Sequence, residues 1–136
     1  MEKIDLVYDK ESEIEVTKEF EFESCHHLLE YKGNCKNPHG HSYKLQVTVK
    51  GVLDTIGMVL DFKELKSIVK ACVITPLDHK DLNEELDFNT TAENMVKWIY
   101  DVLDEQVKIY TKDRVRVEKV RLWETSSSHA TYRRGR

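Results

Sequence analysis

Two runs of alternating apolar residues constrain this chain more than any other feature. Ile14, Val16, Phe20 and Phe22 recur on even positions, and Tyr43, Leu45, Val47 and Val49 on odd ones. A period of two sends successive side chains to opposite faces, so each run reads as a half-buried strand. The strands are expected over about 13–25 and 41–50, the second ended by Gly51. Between them lies a segment rich in turn formers, with Gly33, Asn34, Asn37, Pro38 and Gly40. If the strands pair as an antiparallel hairpin, their loop-proximal ends become neighbours, and a loop held by two rigid strands is a suitable place for chemistry.

The remainder reads as two helices and two strands. Asp61 to Glu64 has the spacing of a capping box, and Leu65, Ile68, Val69 and Cys72 then follow one helical face. That helix is expected to stop before Pro76. A second box, Thr90 to Glu93, opens a helical stripe of Met95, Val96, Ile99, Val102, Leu103 and Val107. Val115 to Trp123 is β-branched and apolar, but its alternation slips from odd to even positions between Val117 and Val120, as a bulge requires. Residues 127–133 are expected to form a last short strand. The order ββααββ predicts an α+β fold with both helices on one face of a four-stranded antiparallel sheet.

No repeat or linker divides the 136 residues, so 1–136 reads as one domain. With 40% hydrophobic and 34% charged residues, five Gly and two Pro, collagen-like and low-complexity chains are excluded. The longest apolar run, Ala71 to Ile74, is too short for a bilayer span or a signal-peptide core, and a cytoplasmic location is expected. A net charge of −4 argues against nucleic-acid or anionic-membrane partners. The only basic cluster, Arg133, Arg134 and Arg136, is expected to be a solvated terminus.

Four of the six histidines, His26, His27, His39 and His41, fall between the two strands or at their ends. His39 and His41 are two apart and share a face if strand geometry begins there. His26 has the parity of Phe20 and Phe22, whereas His27 has the opposite one. Pairing of the strands therefore brings His26 beside His39 and His41. Three imidazoles suit Zn²⁺ and leave a fourth tetrahedral position for water or substrate; copper, nickel or iron also take such ligands. Surface or turn histidines, or a closed structural metal site using Cys35 or Cys25 as fourth ligand, are the alternatives.

Cys35 lies four residues before His39, where a nearby cation favours a thiolate able to serve as base, nucleophile or ligand. Cys25 and Cys72 read as packing residues. Asp78 and His79 are adjacent in the connection between the helices, as a carboxylate-oriented proton shuttle or a polar turn would be. Glu124 follows Val120 and Leu122 on the inward parity of its strand and needs a partner, either a salt bridge or a cationic or amidine-like ligand edge.

Six ordered motifs together resemble the 6-pyruvoyltetrahydropterin synthase family. They are Phe22-x-x-x-His26-x-Leu28, Cys35-x-x-x-His39-Gly40-His41-Ser42-Tyr43, Gly57 to Phe62, Leu77 to Asn83, Thr91 to Asn94, and Trp123-Glu124-Thr125. The resemblance covers about residues 13–132. It implies a tunnelling fold in which three four-stranded subunits close a barrel and two trimers stack as a hexamer. It also implies a pterin or purine ligand, often 7,8-dihydroneopterin triphosphate, bound between subunits. By resemblance His26, His39 and His41 hold zinc, and Cys35, Asp78 and His79 form the catalytic set, the last two reaching in from an adjacent subunit. Glu124 matches the residue that anchors the pterin ring, and Thr91 adds a hydrogen bond. No nicotinamide or flavin is implied.

Within the family, bacterial 6-carboxy-5,6,7,8-tetrahydropterin synthases place the cysteine four residues before His-Gly-His, and the animal pyruvoyl enzymes leave a longer gap. The gap here is four. This resemblance implies release of acetaldehyde and triphosphate on the route to queuosine. Asn37-Pro38 before His39 resembles the animal loop, which keeps the pyruvoyl reaction as the alternative, beside a zinc-containing pterin-binding module without turnover. His27 stands where family members often carry Arg.

Overall fold

A computed structural model describes residues 10–135, so Arg136 of the basic tail lies outside the described residues. Strand β1 (Glu13–His26) and strand β2 (His39–Val52) form the expected antiparallel hairpin, with Phe22 opposite Tyr43 and His26 opposite His39. Strand β4 (Val115–Thr125) lies on the other side of β2, placing Leu122 opposite Leu45 and Val120 opposite Val47. The slip in apolar parity has a structural counterpart: Thr48 faces Lys119 while Val49 faces Val117, so Glu118 is the extra residue of a bulge. Strand β5 (Ser128–Arg133) completes this side of the sheet.

Among the described residues the sheet has five strands and is mixed, which corrects the four-stranded antiparallel expectation. Its additional member, β3 (Lys80–Asp81), runs parallel to β1 at Ser24 and Cys25, giving the order β3-β1-β2-β4-β5. Two residues carry no alternation to read. Tertiary anchoring creates this strand: Ser24 Oγ donates to the Leu77 carbonyl, the His79 N–H to the Glu23 carbonyl, and the Glu23 N–H to Asp78 Oδ1.

Helix α1 (Phe62–Val69) starts where the Asp61 carboxylate accepts the Lys63 N–H at 2.9 Å. It does not end before Pro76. A π-helical turn, Lys70–Ile74, leads directly into α2 (Thr75–Leu77). The wider turn bonds the Thr75 N–H to Lys70 O, which resets the ladder and puts Pro76 in a first turn, where its missing N–H leaves no gap. After β3 comes one further helical turn, α3 (Leu82–Glu85), and then the long helix α4 (Ala92–Thr111). Among the described residues the predicted pair of helices is therefore four α-helical segments, the first two joined by a π-helical turn.

Inward residues of β1, β2 and β4 form one apolar surface with Met95, Ile99 and Leu103 of α4 and Leu65 and Val69 of α1, all fully buried. Burying each such side chain contributes roughly 1.5–3 kcal/mol, which fixes the helices on this face and the strand register beneath them. Arg134 is held rather than solvated, with Nη1 3.0 Å from Tyr100 Oη and 3.2 Å from Asp104 Oδ1. No helix among the described residues is long and apolar enough to cross a membrane.

Candidate functional site

The end of the hairpin gathers the three predicted histidines on the helix-covered face. One ring nitrogen from each of His26, His39 and His41 lies within 4.8 Å of the others. Their rings meet edge-on, with centroids 4.6, 5.1 and 4.8 Å apart. Strand pairing explains this directly: His26 and His39 are cross-strand partners, and His41 is the next residue of like parity.

Backbone carbonyls orient two of the rings. His26 Nδ1 is 2.9 Å from Thr90 O and 3.2 Å from Thr90 Oγ1, and His39 Nδ1 is 2.8 Å from Asn37 O. A carbonyl accepts only from a protonated Nδ1, so in the neutral ring each bond leaves Nε2 with a bare lone pair. The Nε2 atoms of His26 and His41 are buried and have no hydrogen-bond partner. Burial pushes the pKa of both rings below the ordinary histidine range, while the Glu124 carboxylate opposes the shift. Neutral imidazoles with unpartnered, converging lone pairs fit a divalent metal ion.

The surrounding thiols do not close this site. Cys25 takes the opposite strand parity, its Sγ 3.8 Å from Lys80 O. Cys35 sits in a single 3₁₀ turn, Asn34–Lys36, and its thiol is not among the converging donors. A three-nitrogen set with an open fourth position is the arrangement of a catalytic rather than a structural metal site. His27, despite its position, is not part of the set.

Sequence reasoning missed Thr90. It placed the helix cap there, but the cap of α4 is Thr91, whose Oγ1 accepts the Asn94 N–H at 3.1 Å. Thr90 is fully buried and holds His26 instead. Thr90→Val removes the hydroxyl but keeps the carbonyl contact, so affinity for an added divalent metal ion is expected to fall about tenfold. Competition against a chromophoric chelator measures this, and an unchanged affinity excludes a role for the hydroxyl.

Glu124 stands beside the trio. Its Oε1 lies 3.6 Å from His41 Nε2 and its Oε2 3.9 Å from His26 Nε2, beside the converging set but not a member of it. It lines a cavity of ≈ 460 Å³ with Glu93, Ser128, His129 and Thr131, a size suited to a small-molecule ring system. Next to it, Tyr43 Oη is buried without a partner, and desolvation pushes its pKa up, so the phenol stays protonated. Thr91 uses its hydroxyl oxygen for the cap and retains the hydroxyl proton as a donor.

Asp78 and His79 touch each other, with Nδ1 3.0 Å from Oδ1. The Glu23 N–H on Asp78 holds its carboxyl below the usual range, with His79 adding to the effect. His79 adopts a left-handed φ of 57°, and its side chain is 77% exposed. The pair does not join the converging donors; His79 lines a second cavity, ≈ 480 Å³, with Glu23, Cys25, His41 and Ser42. Within one chain, then, the structure unites the three histidines with Glu124 and leaves Cys35 and the Asp78–His79 pair outside that cluster.

Residues 15–135 match the family described as 6-pyruvoyl tetrahydropterin synthase. A 6-carboxy-5,6,7,8-tetrahydropterin synthase of Haemophilus influenzae is 35% identical over 144 residues, covering 86% of this chain and 96% of the relative. A human 6-pyruvoyl tetrahydrobiopterin synthase is 31% identical over 136 residues, covering 88% and 90%. Among solved structures, a Caenorhabditis elegans 6-pyruvoyl tetrahydropterin synthase superposes with a TM-score of 0.80 at 25% identity, over 94% of this chain and 100% of that one. Matched along nearly its whole length in both sequence and fold, this chain belongs to the 6-pyruvoyl tetrahydropterin synthase family.

Proposed function

We propose that the protein is a zinc-dependent 6-carboxy-5,6,7,8-tetrahydropterin synthase. It converts 7,8-dihydroneopterin triphosphate and water to the carboxypterin, acetaldehyde and triphosphate, in 7-deazapurine and queuosine biosynthesis. The observation that carries the choice of product is the four-residue spacing from Cys35 to His39. The Haemophilus relative, whose name gives the carboxy product, supports the same reading.

His26, His39 and His41 hold the zinc. When bound, the ion supplies Lewis-acid polarisation to the hydroxylated side chain of the substrate. Cys35 moves protons on one face of that side chain, and an Asp78–His79 pair from an adjacent subunit of a trimer or hexamer acts as the second acid/base. Glu124 accepts two parallel hydrogen bonds from the pterin ring N–H and amino group, fixing orientation. Thr91 donates its free hydroxyl proton to the ring. These roles need no nicotinamide or flavin.

Asn37-Pro38 favours the second reading, 6-pyruvoyltetrahydropterin synthesis. Mass spectrometry after incubation with 7,8-dihydroneopterin triphosphate separates the cases. Carboxypterin with acetaldehyde supports the proposal; a pyruvoyl product or binding without triphosphate release overturns it. Glu124→Gln keeps the shape but places an amide where two donors must be accepted. It is expected to weaken pterin binding about tenfold or more while zinc content stays unchanged, as calorimetric titration with a non-reacting pterin would show. Equal affinity removes Glu124 from the anchoring role.

A further inference from the structure

Four consecutive residues, His26 at the end of β1 and the three that follow it, are gripped from both sides, and the grip reaches the cysteine loop. His26 is held through its ring by Thr90. The His27 N–H donates to Asn83 Oδ1 at 2.9 Å, and Asn83 Nδ2 donates back to His27 O at 3.0 Å. Two residues on, the Leu29 N–H donates to Asn89 Oδ1 at 2.9 Å, and Asn89 Nδ2 reaches Leu29 O at 3.4 Å. Each side-chain amide thus presents one acceptor and one donor to a single residue's backbone, as a neighbouring strand would. Between these two clamped residues, the Leu28 N–H points the other way and donates to Cys35 O at 2.7 Å. The backbone groups divide accordingly: residues 27 and 29 face the asparagines, and residue 28 faces the cysteine turn.

We infer that Asn83 and Asn89 are positioning residues, which hold the backbone of residues 27–29 in place and thereby set where Cys35 stands relative to the three histidines. The clamps are anchored independently of the cysteine loop. The Asn83 N–H is held by Asp81 Oδ1 at 3.0 Å, and Asn89 O accepts from Asn94 Nδ2 at 2.9 Å at the start of α4. Cys35 itself lies in a turn of only three residues between two segments without regular structure; the turn closes on itself through the Lys36 N–H to Gly33 O and the Asn37 N–H to Asn34 O, and the Leu28 N–H ties it to the clamped residues. The same stretch that carries Asp78 and His79 toward α4 therefore also sets the reach of the thiol. A misplacement of about 1 Å at a reacting group lowers turnover by up to about 100-fold.

This inference rests on Cys35 acting in turnover, so the test has a readout that does not. Asn89→Ala removes one clamp at a partly exposed position. Asn83→Asp keeps the acceptor for His27 N–H but turns the donor into an oxygen facing His27 O, a milder change if Asn83→Ala fails to fold. In each variant the alkylation rate of Cys35 by iodoacetamide is followed against pH by peptide mass spectrometry, beside zinc content, kcat and KM. The expected result is unchanged zinc, an altered Cys35 alkylation profile, and kcat lowered about tenfold or more with KM nearly constant. A Cys35 alkylation profile equal to wild type in both variants overturns the inference. If Cys35→Ala retains full turnover, the catalytic reading fails, and the alkylation profiles still decide whether the clamps place the thiol.

Discussion

Cys35→Ala is expected to lower turnover by roughly 10²–10⁴-fold, the usual effect of removing a positioned acid/base group, while zinc stays bound. The separation of the two effects follows from the fold. The histidine geometry comes from the pairing of His26 with His39 and from the carbonyls of Thr90 and Asn37, and none of these contacts passes through the Cys35 side chain. The Cys35 carbonyl is engaged by the Leu28 N–H, and alanine keeps that bond. Metal analysis of the purified variant beside its kcat tests both halves. Loss of zinc reassigns Cys35 as a ligand, and full turnover removes it from the proton-transfer role.

Periodicity made the site legible because its main determinant is strand parity. His26, His39 and His41 converge because they have the parity of Phe22 and Tyr43, which the core already fixes. The bulge at Glu118 was readable for the same reason, since a one-residue slip exchanges the faces of a strand. Partners fixed only by tertiary contact left no such trace. Two-residue β3 has no period, Arg134 finds Asp104 across thirty residues, and Asn83 and Asn89 grip backbone rather than side chains. Thr90 shows how close a local signal comes while still misleading: the capping pattern was present, but Thr91 caps the helix, one position on, and the buried hydroxyl went to a histidine. The π-helical turn before Pro76 escaped because a proline normally signals the end of a helix, and only the packed surroundings of Val73 and Leu77 keep the chain helical there.

Acidification is expected to release the metal and loosen the fold over one pH window. His26 and His41 have folded pKa values lowered from the ordinary 6.5, with burial as the leading cause. Below that value the unfolded chain binds these protons before the folded chain does. Stability from the buried neutral rings is therefore complete above about pH 6.5 and declines as pH falls from there toward the lower folded pKa values. Zinc occupancy has the same sign, because each imidazole must give up its proton to bind, and protons and metal compete for the same lone pairs. The difference in Tm between zinc-loaded and chelator-treated protein should thus be large near pH 7.5 and shrink steeply by about pH 5.5. Calorimetry at several pH values, with released zinc followed by a chromophoric chelator, measures the two together. In His41→Ala the pH dependence of the zinc-free protein should flatten, since one of the two rings whose desolvation favours the neutral form is gone. Zinc held undiminished to pH 5 would show that the ion's donors are not these three imidazoles.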